Sequence, residues 1–127
     1  MPKFKIAKLV RDQLAKLPTA RGVRKLQGEE LIKALKEKLT EEATECLEAT
    51  TQAALLEEIA DCQEVLAALA KAAGCSEEQL QQARLTKQRQ KGSFAGGHWV
   101  HHMEVQDGTS AMAAFLANPK YEQLKQP

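Results

Sequence analysis

Two stretches of the chain, from about Gly28 or Glu29 to Ala49 and from about Ala53 to Ala73, carry apolar side chains at helical spacing, and only Thr50–Gln52 separates them. Helices of that length joined by so short a break pack as antiparallel neighbours, because the connection is too short for any other path. The sequence therefore predicts an all-α protein, an antiparallel helical bundle built on one long αα-hairpin.

Each predicted helix then breaks its own pattern. In the first, Leu35, Leu39, Glu42 and Cys46 lie on one stripe, so Glu42 stands where an apolar side chain belongs. Glu45 flanks it at the stripe's edge, and Glu41 lies further round. In the second, Glu58, Cys62, Val65 and Leu69 form the stripe, with Asp61 beside Glu58. Folding the hairpin about the point between residues 51 and 52 brings Glu42 level with Asp61 and Glu45 level with Glu58. Two carboxylates about 4 Å apart repel by roughly 4 kcal/mol at an effective dielectric near 20. A buried charge left unpaired costs several kcal/mol more. Such a group needs a positive partner, or it must protonate or turn to solvent. Hard cations, Mg²⁺ first and Mn²⁺ also, select carboxylate oxygens. The plainer alternative is that these acids form solvated helix faces paired with basic ones.

The charge distribution admits both readings. A net charge of +1 conceals a basic first third, an acidic middle and a mildly basic end. The acidic middle and an aromatic content of only 4% argue against a nucleic-acid-binding surface. No run of apolar residues is long enough to span a bilayer, so no membrane association is expected. The N-terminal MPKFKIAKLVRD lacks the apolar core of a secretory signal, and Cys46, Cys62 and Cys75 form no dense framework. A cytoplasmic protein with reduced thiols is the expectation.

Around the hairpin, residues 4–17 suggest an irregular lead-in and a short helix, and Pro18–Val23 a loop. Gly74 ends the second long helix, and Ser76 with Gln79 forms a capping-box pattern that opens a third helix to roughly Gln90. HWVHHMEV (His98–Val105) reads as a short strand or extended arm, and a weak helix is expected over residues 110–117.

Glu41-Glu42-x-x-Glu45, then twelve residues, then Glu58-x-x-Asp61 resembles the EExxE…ExxD signature of MazG-like all-α nucleoside triphosphate pyrophosphohydrolases. KLVRD (Lys8–Asp12), LKEKLTEEATE (Leu35–Glu45) and KQRQKGSF (Lys87–Phe94) are similar to the branch related to phosphoribosyl-ATP pyrophosphohydrolase. The resemblance covers roughly residues 8–94. It departs at Gly92-Ser93-Phe94, where the branch has two glycines before the phenylalanine, and after KLVRD, where QL replaces KIP. It implies a helical homodimer or homotetramer that cleaves a nucleoside triphosphate between the α and β phosphates. It also implies that Glu42, Glu45, Glu58 and Asp61 hold Mg²⁺. The same likeness makes Glu41, Glu42 and Glu45 the catalytic carboxylates, with Glu41 in an outer shell or orienting the attacking water. Phosphate oxygens need cations. Lys8 with Arg11 and Lys87 with Lys91 are the pairs at helical spacing, and the resemblance favours Lys87, with Arg89 near it. Residues 1–94 would then form the pyrophosphohydrolase region, and 95–127 a C-terminal arm or tail of the same single domain.

Other features carry less chemistry. His98, His101 and His102 have no cysteine or carboxylate at a recognised metal-ligand spacing, so stacking or surface packing is their expected role. Trp99 or Phe94 could stack on a base or pack across a subunit interface. Cys46 and Cys62 follow proposed ligands directly and read as small buried hydrophobes. A hairpin plus one short helix leaves apolar surface uncovered, which implies association of copies. A catalytically silent module, in which metal-bound carboxylates stabilise an oligomer, is the alternative to an enzyme.

Overall fold

Local signals at the ends of each helix set the architecture. The computed structural model describes residues 1–125, and among them are α1 (Asp12–Ala15), α2 (Gly28–Glu48), α3 (Gln52–Ala72), α4 (Glu77–Lys91) and α5 (Ser110–Ala117), with no strand. The chain divides into two compact units after Gly92.

In the first unit α2 and α3 pack along each other as the expected hairpin, and α4 packs on α3. The break falls at Ala49–Thr51, one residue earlier than the sequence suggests. The Thr51 hydroxyl explains the shift, because it accepts the Ala54 N–H at 3.1 Å and so draws Gln52 into the first helical turn. α3 ends in a Schellman motif: Gly74 takes φ +85°, and the Cys75 and Gly74 amides donate to Ala70 and Lys71 carbonyls. The capping box at Ser76 forms in full, with both reciprocal bonds between Ser76 and Gln79 present. α1 is a single turn, and the lead-in before it has no regular structure.

The hairpin's core is thin. Its buried apolar side chains are Leu35 of α2 and Val65 of α3, and between them in rank of burial comes Glu42, 6% exposed. Leu55, Leu56, Ile59 and Leu66 of α3 remain exposed, as do Leu14 and Leu17. The paired helices bury one face each and leave others open.

In the second unit α5 is capped by the Thr109 hydroxyl, which accepts the Met112 N–H. Phe115 meets Tyr121 edge-on, with ring centroids 5.0 Å apart. Residues 98–105 are irregular rather than a strand; no neighbouring segment supplies the ladder a strand requires.

Candidate metal centre

The two interrupted stripes meet. Glu42 and Glu45 of α2 and Glu58 and Asp61 of α3 each place a carboxylate oxygen within 4.8 Å of the others. Among the described residues this is the group of three or more His, Cys, Asp or Glu side chains that converges in this way. Helix periodicity explains the convergence. Within each helix the two acids are three residues apart, on one face, and the short turn at Ala49–Thr51 brings the two faces level.

The cluster is electrostatically incomplete. Glu42 Oε2 and Glu58 Oε2 are both buried and accept no hydrogen bond. Two unit charges at the 4.8 Å limit repel by about 3.5 kcal/mol at an effective dielectric near 20. Burial and mutual repulsion raise the pKa of two of these carboxyls. Burial, then the Glu45 carboxylate, pushes the Glu42 pKa above the ordinary value. Close approach of Glu45, then desolvation, raises Glu58 to about 7. The site thus favours a proton, or a cation, among its oxygens.

Three basic side chains reach the rim. Lys38, one turn before Glu42 on α2, lies 3.4 Å from Glu42 Oε1 and 3.3 Å from Glu41 Oε2. It pairs with one oxygen of Glu42 and leaves the other, the buried Oε2, without a donor. Lys8 reaches Glu41 Oε1 at 2.5 Å, and Arg11 reaches Asp61 Oδ1 at 2.5 Å. Glu41 stands outside the four-carboxylate group, clasped by two lysines. The Lys8 bond holds its pKa below the usual value, with help from Lys38. In turn Glu41 raises Lys8, and Asp61 raises Arg11.

Lys87 and Lys91 lie on the last turns of α4, exposed and without an ion pair among the described residues. Lys38 is the site residue that the sequence reading passed over. Its signal was present, since a lysine three and four residues before Glu41 and Glu42 shares their helix face. Cys46 and Cys62 are half-buried, with Sγ atoms 3.6 Å apart. Burial, then its neighbour Cys46, pushes the Cys62 thiol up to about 11, so it remains protonated at neutral pH. In the second unit the Nδ1 atoms of His101 and His102 are 2.9 Å apart, Trp99 meets His101 edge-on, and all three rings are exposed.

The donor set fits a hard divalent cation. Four carboxylates supply oxygen ligands, and two of them, Glu42 and Glu58, each carry a buried oxygen without a donor. No family model matches the chain, and no curated protein or solved structure matches it.

Proposed function

We propose that this chain is a Mg²⁺-dependent nucleoside triphosphate pyrophosphohydrolase, which cleaves between the α and β phosphates to give a nucleoside monophosphate and pyrophosphate. The observation that carries the reading is the convergence of four carboxylates, one of which, Glu42, has a buried and donorless Oε2. A buried oxygen of this kind is expensive unless a cation completes it. The EExxE…ExxD pattern supplies the reaction class. A divalent cation held there would supply positive charge to the phosphates and lower the pKa of a bound water.

The chain's own groups divide the remaining work. Glu42, Glu45, Glu58 and Asp61 are the metal ligands, with Mn²⁺ as a workable substitute for Mg²⁺. Glu42 and Glu45 fix the geometry because they leave one helix face a single turn apart. Glu41, poised at the rim between Lys8 and Lys38, orients the water. Lys8 and Arg11, which reach the rim from outside the hairpin, take the phosphate oxygens, and Lys87 and Lys91 join them when copies of the chain associate. The exposed Leu55, Leu56, Ile59 and Leu66 favour such association, as homodimer or homotetramer. Free thiols suit a cytoplasmic setting.

The same exposed leucines favour a second reading, a metal-stabilised oligomerisation module without catalysis. One experiment separates them. The full chain is incubated with Mg²⁺ and a panel of canonical and modified triphosphates, and pyrophosphate is measured. Release that disappears in Glu42→Gln and Asp61→Asn, with the helical circular dichroism intact, supports the enzyme. Absence of release from every triphosphate supports the module.

A further inference from the structure

We infer that residues Lys8–Arg11 form a phosphate-binding strap whose anchor on Asp61 competes with the divalent cation, so that cation binding frees Arg11 for an oligophosphate chain. The inference rests on the proposed metal site and adds to it how the site passes from its metal-free to its substrate-binding form.

The strap joins both helices of the hairpin. Lys8 holds Glu41 of α2 and Arg11 holds Asp61 of α3, across sequence separations of 33 and 50 residues. Leu9 and Val10, between them, are half-buried and keep the segment against the hairpin. The ionic anchors themselves are weakly held. The Lys8 and Arg11 side chains are 46% and 61% exposed, and ion pairs so open to water contribute little. The segment has no regular structure, and Ala7 takes φ +46°, a left-handed conformation that costs an alanine energy, immediately before Lys8. A hinge, a greasy pivot and two displaceable contacts are the parts of a movable strap.

Asp61 cannot serve both partners equally. It is one of the four converging carboxylates and at the same time the acceptor for Arg11. Arg11 therefore supplies positive charge to the cluster while no metal is there, and opposes a divalent cation that would draw on the same carboxylate. Once released, its guanidinium is a planar fork suited to bidentate phosphate contact, beside the site where phosphates would meet the cation. The recess that Lys8 and Leu9 close with Ala34, Glu37, Lys38 and Glu41 holds about 50 Å³. That is far below the roughly 300 Å³ of the smallest ordinary ligand pockets. The recess is thus a crevice beneath the strap, and none of the four carboxylates lines it.

The competition predicts opposite signs from one substitution, which a damaged fold would not produce. Binding of Mn²⁺ alone and of the Mn²⁺–tripolyphosphate complex is measured by titration calorimetry on the full chain and on Arg11→Ala. The variant is expected to bind Mn²⁺ alone several-fold more tightly, and the tripolyphosphate complex about tenfold more weakly, since one charge-assisted contact is lost. Arg11→Lys, which keeps the charge but not the fork, should restore the wild-type Mn²⁺ affinity and only part of the tripolyphosphate affinity. Unchanged or weaker Mn²⁺ binding by Arg11→Ala overturns the strap while leaving the metal site standing. Undiminished tripolyphosphate binding does the same. Failure of the unaltered chain to bind Mn²⁺ overturns both.

Discussion

Replacing Glu42 by glutamine should stabilise the metal-free protein and abolish its response to metal. Glu42 is 6% exposed, its Oε2 accepts no hydrogen bond, and oxygens of three other carboxylates lie within 4.8 Å. Each fully ionised pair at that limit is worth about 3.5 kcal/mol of repulsion at an effective dielectric near 20. Two effects reduce the gain. Lys38 stands 3.4 Å from Glu42 Oε1, and losing that ion pair costs roughly 1 kcal/mol. The raised pKa of Glu42 also means that partial protonation already relieves some of the repulsion. Glutamine keeps the shape, removes the charge and gives a neighbouring carboxylate an N–H donor. The net expectation is a gain of about 1–2 kcal/mol without metal, or a rise in Tm on the order of 2–8 °C for a protein of this size. With Mg²⁺ or Mn²⁺ the order reverses. A ligand at one hundred times its Kd stabilises the wild type by about 2.7 kcal/mol, whereas the variant, short of a ligand, gains much less. Thermal unfolding followed by circular dichroism, in chelator and in excess metal, reads all four values. A variant less stable than wild type in chelator would refute the claim that Glu42 is a strained ligand, and would make it an ordinary buried partner of Lys38.

Two further outcomes follow from the same geometry. Because Glu58 is raised from 4.5 to about 7, the metal-free folded state holds a proton that the unfolded chain has released. The stability tied to this group is full below pH 4.5 and is lost as pH rises to about 7. The difference in Tm between wild type and Glu58→Gln, measured in chelator across that range, should therefore grow with pH and favour the variant, and saturating Mg²⁺ should reverse it. At the hairpin turn, Thr51→Ala removes the side-chain cap on Ala54 and should lower stability by about 1 kcal/mol. In a urea titration this moves the midpoint with the slope unchanged, and Mn²⁺ affinity stays as in the wild type, since the cap holds the helix end rather than the carboxylates.

The sequence by itself determined the helices, the hairpin and the four-carboxylate cluster. These depend on local rules: the apolar period along each helix, the cap at Thr51, the glycine at position 74, and a turn too short to allow any pairing but the antiparallel one. Given those, Glu42, Glu45, Glu58 and Asp61 had to meet, because helical rise is fixed and their heights on either side of the turn match. Lys38 was legible too, one turn from Glu42 on the same face, although periodicity alone gave it no distinction from other exposed lysines. Only the tertiary structure decided which distant cations serve the cluster. Lys8 and Arg11 come from an irregular segment with no period to place them, and they reach Glu41 and Asp61 where Lys87 and Lys91, on a regular helix with an equally plausible spacing, stand exposed without ion pairs among the described residues. The structure alone also showed that Glu42 is satisfied on one oxygen and bare on the other. Helix geometry propagates from neighbour to neighbour and can be read along the chain. The partner of a charge in an unstructured segment depends on where the whole fold carries it.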